Sequence, residues 1–354
     1  MFPFQFLAHL LAFIAGFMIV VLTLFSALST FVLPRAARSR LNRLVFISLR
    51  RVFNFIMHFA KTYRQRDAIM AYYAPIGLLL LVPTWYALIL VGYAGMYWAL
   101  GVGYPFTVFH LSGSSLFTLG LDSAPTFWVA SLVFSEAMLG LLLVALLIAY
   151  LPTMYSAFSR REQAVNMLGV RAGSPPSSFE MLLRFHRIHG LEKLADYWRS
   201  WEGWFADIEE SHTTLPALTF FRSPRSEDSW ITAAGTVLDA ASLTRSSLDI
   251  PAEASADLCI RAGFLALRRI ANYYALPNPA EPHYPENPIS ITRQEFDLAL
   301  DQLSQSGLPI KSDREQAWQD FAGWRVNYDR VLVSLCALLM SPPALWSTDR
   351  LAEK

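Results

Sequence analysis

Three long stretches without charged residues limit what this chain can fold into. Asp, Glu, Lys and Arg are absent from residues 1–33 and from 68–121, and Glu136 is the sole such residue in 126–152. Each stretch is longer than the roughly 20 helical residues that cross a hydrocarbon core. The first also lacks the basic start and short apolar core of a signal peptide. We therefore expect an all-α integral membrane protein with three transmembrane helices, at about 3–33, 76–100 and 126–152.

Basic residues predict the orientation of these helices. The segment between the first two spans contains one acid, Asp67, and nine basic residues: Arg35, Arg38, Arg40, Arg43, Arg50, Arg51, Lys61, Arg64 and Arg66. Short loops rich in Lys and Arg stay in the cytoplasm. We expect this loop and the chain after Arg160 to be cytoplasmic, the N-terminus to lie outside, and the protein to reside in the cell (inner) membrane.

The same basic segment, 34–68, has an amphipathic pattern. Its apolar residues recur at helical spacing: Leu41, Leu44, Val45, Leu49, Val52, Phe55, Ile56 and Phe59. Such a helix is suited to the anionic inner leaflet, which makes membrane lipids an expected partner. A gating lever is the functional alternative. The preceding span, 1–33, shows no polar stripe, and we predict an extra helix that faces lipid.

Residues 156–354 are predicted to form a helical cytoplasmic domain. Capping boxes at Ser177–Glu180, Thr292–Glu295 and Ser312–Glu315 precede apolar-periodic runs, and alternating strands are lacking. Cys259 and Cys336 lack metal-binding spacing, so two buried thiols are expected. We find no catalytic triad or cofactor motif and predict neither enzymatic activity nor a nucleic-acid partner.

The stretch HLSGSSLFTLGLDSAP, residues 110–125, interrupts the apolar sequence with small hydroxylated residues and glycine. Irregular backbone at membrane depth is tolerated only where it is buried in protein or lines a water-filled path. We therefore predict a re-entrant element, with a helix over about 105–117 and an extended return over 118–122. The helix C-terminus carries about half a negative charge, and exposed carbonyl groups can replace the hydration shell of a cation.

This pattern resembles the pore-loop cation channel superfamily, and specifically its bacterial potassium-channel-like proteins. That family has an outer helix, a pore helix, a filter of the type T-V-G-Y-G-D and an inner helix. The matching positions in this chain are Ser112 and Ser115 in the pore helix, Thr118, Leu119, Gly120, Leu121 and Asp122 in the filter, and Pro125 beyond it.

The resemblance extends over roughly 69–178 and implies a pore domain at 69–155. Gly140 lies about where the family keeps a hinge glycine in its inner helix, and this implies a role in gating. The family's second filter glycine is missing, because Asp122 directly follows Leu121, which itself replaces an aromatic residue. Alternate residues of such a filter need positive φ, so the change predicts the loss of the outermost ion site and weak selectivity.

Three ionisable residues surround this element. Four Asp122 carboxylates around an axis would form an acidic ring that concentrates cations; capping of nearby amides is the alternative. Glu136 should lie in the outer leaflet and face protein, hydrogen-bonded to the pore helix or to His110. A brace without ion contact is the alternative for Glu136, and simple packing is the alternative to a pH-sensing role for His110.

The resemblance thus implies a homotetramer that conducts monovalent cations passively, potassium and, with a weakly selective filter, sodium. No cofactor is expected apart from the permeant cations. The competing hypothesis is a non-conducting membrane sensor or scaffold that keeps the pore-loop fold. The missing glycine favours that hypothesis, whereas the retained Thr118, Gly120 and Asp122 oppose it.

Overall fold

The computed structural model describes residues 2–31 and 40–351, and helices dominate both ranges. Arg35 and Arg38 of the basic segment lie outside the described residues. The first six helices are α1 (Phe2–Phe31), α2 (Arg40–Met57), α3 (Tyr63–Ala71), α4 (Tyr73–Ala99), α5 (Pro105–Leu116) and α6 (Phe127–Ala172). The others are α7 (Ser178–Arg187), α8 (Leu194–Thr214), α9 (Trp230–Ser247), α10 (Ala254–Tyr273), α11 (Arg293–Gln305), α12 (Arg314–Arg325) and α13 (Asp329–Leu339).

No strand occurs within the described ranges, where the β pairing is a single bridge between Leu248 and Ile310. Three helical segments are long and apolar enough to cross a membrane, at Phe4–Phe31, Tyr63–Ala99 and Phe127–Ala172. The prediction of an all-α protein with three candidate spans is therefore confirmed. The chain divides into two compact units, one formed by Met1–Phe59 with Tyr72–Ser156 and the other by Ala60–Ala71 with Ala157–Lys354.

The helix of the third candidate span does not end at Pro152, so the expected bound of 152 is wrong for the helix. Helix α6 runs for 46 residues from Phe127 to Ala172 with Pro152 inside it, and Pro83 likewise lies inside α4. A proline removes one backbone hydrogen bond and clashes with the carbonyl four residues earlier, at a cost of about 3 kcal/mol. The many intact hydrogen bonds on either side offset this local cost.

Helix α1 packs closely against α4 through small residues. A Cβ atom added to Gly16 would lie 2.3 Å from the carbonyl oxygen of Gly92, so the two backbones touch there. Small residues allow such an approach between membrane helices. Thr23 and Ser26 of α1 are buried, and the Trp85 indole donates to the Ser26 hydroxyl at 3.3 Å. The expected lipid-facing anchor without a polar stripe is therefore wrong for this face of α1.

Helix α2 has one face against α4 and one apolar face exposed. Leu49 and Phe53 are buried, and the Arg50 guanidinium lies 5.4 Å from the centre of the Tyr73 ring. The exposed apolar side chains are Leu44, Ile47, Val52, Phe55 and Ile56. Helix α2 therefore has two apolar faces, and among the described residues only the face against α4 is covered.

The second unit has a continuous apolar core. Helix α9 is buried along nearly its whole length, and α7, α8, α10, α12 and α13 contribute side chains around it. The predicted caps at Ser177 and Thr292 are confirmed, and Thr292 forms a full capping box with Glu295. The third helix start is shifted by one residue, because Asp313 rather than Ser312 accepts the first-turn hydrogen bond.

Both cysteines lie in this core and are free. Burial raises the pKa of the Cys336 thiol to about 12, which keeps it protonated and unreactive near neutral pH. The prediction of two buried thiols is confirmed.

A buried arginine in the C-terminal half of α6 binds the segment that follows α8. Arg161 is fully buried and donates to the backbone carbonyls of Leu218 at 2.9 Å and Phe221 at 2.8 Å. Its guanidinium also contacts Nε2 of buried His212 at 3.3 Å. Because a guanidinium can only donate, Nε2 carries no proton and the imidazole is neutral. Burial, and secondarily the Arg161 charge, hold the pKa of His212 well below its ordinary value.

This environment predicts a loss of stability in mild acid. Below about pH 6.5 the unfolded chain binds a proton at His212 that the folded protein excludes, so stability present above that pH is lost as the pH falls. The free energy of unfolding should decrease by up to about 1.4 kcal/mol per pH unit from this residue. Thermal melting of the full chain in detergent at pH 5 to 7.5 measures the slope.

His212→Gln should flatten this pH dependence, whatever its effect on the melting temperature at neutral pH. His283→Gln, at an exposed histidine of the same unit, is the matched control and should leave the slope unchanged. Equal slopes for the wild type and His212→Gln would contradict the assignment.

Candidate functional site

A short helix lies between the second and third candidate spans. Helix α5 starts at Pro105, directly after the extended residue Tyr104, and proline is pre-organised for the first helical position. Its 12 residues cover about 18 Å, well short of a hydrocarbon core of about 30 Å. The prediction of a helix over about 105–117 is confirmed, with Phe117 as its C-terminal cap.

The backbone after α5 has an alternating conformation. Thr118 and Gly120 have positive φ, at 55° and 67°. Glycine adopts this region freely, whereas a β-branched residue such as threonine does so rarely and at a cost of about 1–2 kcal/mol. A conformation of this kind persists only where neighbouring contacts impose it.

Those contacts come from two serines of α5. The backbone N–H of Thr118 donates to the Ser115 carbonyl at 3.0 Å, and that of Leu119 donates to the Ser114 carbonyl at 2.8 Å. The N–H of Leu121 donates to the hydroxyl oxygen of Ser114, also at 2.8 Å. Ser114 therefore accepts hydrogen bonds from two alternate amides of residues 118–122, which we call the returning segment.

These hydrogen bonds also set the direction of two carbonyl groups. In a planar trans peptide the C=O points opposite to the N–H of the next residue. The amides of Leu119 and Leu121 point at Ser114, so the carbonyls of Thr118 and Gly120 point away from it. Residues 117–123 are all exposed in the single chain. The segment therefore presents two carbonyl oxygens on one accessible side.

A buried carboxyl group joins the three helices around this segment. Glu136 of α6 is fully buried, and its two oxygens accept hydrogen bonds from the Tyr97 hydroxyl of α4 at 2.8 Å and the Ser112 hydroxyl of α5 at 2.5 Å. The Ser112 hydroxyl also lies 3.0 Å from the Leu90 carbonyl of α4. Of the two partners expected for Glu136, the structure places it against the short helix.

Neither the role of Tyr97 nor the pairing of His110 with Asp122 is predicted above from the sequence. Aromatic residues near the end of a membrane helix are typical of an interfacial belt, but Tyr97 and Tyr93 are buried, and the Tyr93 hydroxyl lies 2.9 Å from that of Ser135. His110 Nδ1 lies 2.6 Å from a carboxylate oxygen of Asp122. This contact ties α5 to the far end of the returning segment, and both side chains are partly exposed.

Gly140 of α6 lies where two other helices approach it. A Cβ atom there would be 2.2 Å from the carbonyl oxygen of Leu116, and the Tyr86 hydroxyl donates to the Gly140 carbonyl at 2.7 Å. The glycine therefore lets α6 pass the C-terminal end of α5. Helix α6 is continuous through this residue, and the hinge role stays a prediction. Ser115, also predicted to support the filter through its side chain, donates its hydroxyl to Leu111 of its own helix.

Comparisons with family models, with curated proteins and with solved structures returned no match for this chain. Within residues 2–31 and 40–351, no group of three or more His, Cys, Asp or Glu side chains could hold a metal ion. The argument for function therefore depends on the geometry of α5 and the segment that follows it.

The Glu136 cluster predicts a clear order of stability among variants. Glu136→Leu should lower the melting temperature markedly, because the buried Tyr97 hydroxyl loses its acceptor, at about 1–3 kcal/mol, and the Ser112 hydroxyl keeps only the Leu90 carbonyl. Glu136→Gln should cost less, since its amide oxygen can still accept one of the two bonds. Thermal unfolding in detergent, followed by intrinsic tryptophan fluorescence, gives the comparison.

Met138→Leu, at an exposed position on the same helix, is the control and should melt like the wild type. If Glu136→Leu were as stable as the wild type, the carboxyl group would not join these helices.

Proposed function

We propose that this protein is a homotetrameric pore-loop cation channel, similar to potassium channels but with an atypical, weakly selective filter. The observation that carries the proposal is the alternating backbone at Thr118 and Gly120, with the intervening amides bonded to Ser114. That arrangement turns the carbonyls of Thr118 and Gly120 away from the helix, as an ion path lined by carbonyl oxygens requires. Helix α5 is then the re-entrant pore helix, and α4 and α6 are the outer and inner helices.

Assembly follows from the same geometry. One chain offers two carbonyl oxygens from one side, whereas a dehydrated cation needs ligands from all around it. Four copies about an axis would supply rings of four oxygens at each level. The exposed apolar side chains on and near α5 and α6 suit contacts with neighbouring subunits and lipid: Phe106, Phe109, Phe117, Leu119, Leu121, Phe127, Trp128 and Phe134.

Charge at both ends of the filter favours cations. The C-terminal end of α5 carries a partial negative charge where the chain turns back. At the other end, the proposed tetramer has a ring of four Asp122 carboxylates, each beside a His110 imidazole. Cations would therefore be concentrated at the entrance and stabilised deeper in the pore.

Weak selectivity follows from the short filter. Asp122 directly follows Leu121, so the chain lacks a further glycine between them that would supply another carbonyl facing the ion path. Fewer consecutive sites mean fewer steps at which potassium is preferred over sodium.

We place the protein in the cell membrane with the N-terminus outside and the helical second unit in the cytoplasm. Helix α2, with its exposed apolar face and arginines, would contact anionic lipids there.

A non-conducting sensor or scaffold is the second candidate. The positive φ of Thr118 and the exposed Leu119 and Leu121 side chains favour it, because they suit a segment that packs against another protein as well as one that faces ions. The same experiment on the purified protein distinguishes the two candidates.

That experiment measures reversal potentials in planar bilayers, first across a concentration gradient of one potassium salt and then with potassium on one side and sodium on the other. The proposal predicts a potential displaced toward the potassium equilibrium potential in the gradient, which identifies a cation current, and a potential near zero between potassium and sodium. Asp122→Asn should reduce the current about two- to fivefold, since the carboxylate ring raises the local cation concentration. Glu192→Gln removes an exposed charge from the second unit and should have no effect.

A current carried by anions, or no current from correctly assembled protein, would contradict the channel proposal. The absence of current would instead support the sensor or scaffold.

A further inference from the structure

We infer that Ser114 is the positioning residue of the filter, through a hydroxyl that holds the Gly120 carbonyl toward the ion path. The inference rests on the proposed channel function and identifies a residue on which that function depends. Ser114 is buried, with 4 % of its side chain exposed, so it would not contact the ion itself. It acts through the backbone amide of Leu121.

A side-chain acceptor is required at this position. The backbone carbonyl of Ser114 already accepts the N–H of Leu119, five residues further along the chain. Leu121 lies two residues beyond Leu119, and its N–H donates to the Ser114 hydroxyl rather than to that carbonyl. The same carbonyl does not reach both amides, and the hydroxyl provides the second acceptor.

The neighbouring serines do not substitute for Ser114. The Ser112 hydroxyl lies against Glu136 and Leu90, and the Ser115 hydroxyl is donated to Leu111 within α5. Three serines within four residues therefore have three different roles. Only the hydroxyl of Ser114 accepts a hydrogen bond from the returning segment in the described structure.

The restraint matters because Gly120 is otherwise free to reorient. A Cβ atom added to Gly120 would meet no atom within 4 Å, and a glycine with positive φ changes conformation at little steric cost. Leu121 replaces the family's filter aromatic and has no hydrogen-bonding side chain. Without the acceptor on Ser114, the peptide between Gly120 and Leu121 can rotate, and the Gly120 carbonyl leaves the ion path.

The test compares unitary conductance and amide exchange in the full-length protein reconstituted in lipid. Ser114→Ala should accelerate hydrogen exchange at Leu121 about five- to tenfold, the effect expected when one hydrogen bond is lost. Its unitary potassium conductance should fall by a similar factor, because the inward-facing state of the carbonyl is populated less. Ser114→Thr keeps the hydroxyl and should restore both values.

Thr84→Ala is the control, since it removes a hydroxyl that donates to the Leu80 carbonyl of its own helix, α4, and it should behave like the wild type. Size-exclusion chromatography confirms that each variant assembles. Wild-type conductance and Leu121 exchange in Ser114→Ala would overturn the role of Ser114 while leaving the channel proposal intact. A wild type that passes no cation current would overturn the channel proposal and, with it, this inference.

Discussion

Backbone hydrogen bonding is the constraint on which the polar interruption of this chain depends. An unpaired N–H or C=O in an apolar environment costs several kcal/mol, so a chain can leave the helical conformation at membrane depth only if other acceptors replace the helical ones. Ser114 and Ser115 provide these acceptors for the amides of residues 118, 119 and 121. In the proposed pore loop, the segment would return without unpaired amides at those positions, and its exposed carbonyls would remain available for a cation.

The position of this segment depends in turn on the buried carboxyl group of Glu136. A carboxyl in an apolar environment is expensive unless both oxygens are hydrogen-bonded. Tyr97 and Ser112 satisfy both, and this connects α4, α5 and α6 at one point. Gly140, one turn further along α6, allows the close contact with the end of α5. Together these residues hold the short helix against the two long ones.

The sequence predicted the elements better than the contacts between them. Charge-free runs identified the three candidate spans, and the polar interruption identified the short helix, because both signals arise from solvation of individual residues. Pro152 was misassigned as a helix end, since the penalty of proline is local and the flanking hydrogen bonds offset it. The buried contacts of Tyr93 and Tyr97 could not be predicted for a similar reason: a tyrosine ring suits either an interface or a polar pocket, and only packing decides.

The roles of the three serines lay beyond sequence reasoning. Ser112, Ser114 and Ser115 have the same side chain, and small differences in direction around α5 determine whether each hydroxyl meets a carboxyl group, an amide or its own helix. The pairing of His110 with Asp122 across twelve residues has the same origin. Both features depend on the path of the returning segment, which local sequence preferences do not specify.

The most direct test of the account is a structure of the purified protein in lipid with thallium, a heavy monovalent cation, located by its anomalous scattering. The account predicts a tetramer with thallium on the fourfold axis, within contact distance of the carbonyl oxygens of Thr118 and Gly120. An axis without thallium at that level, or an assembly in which these segments do not converge, would contradict it.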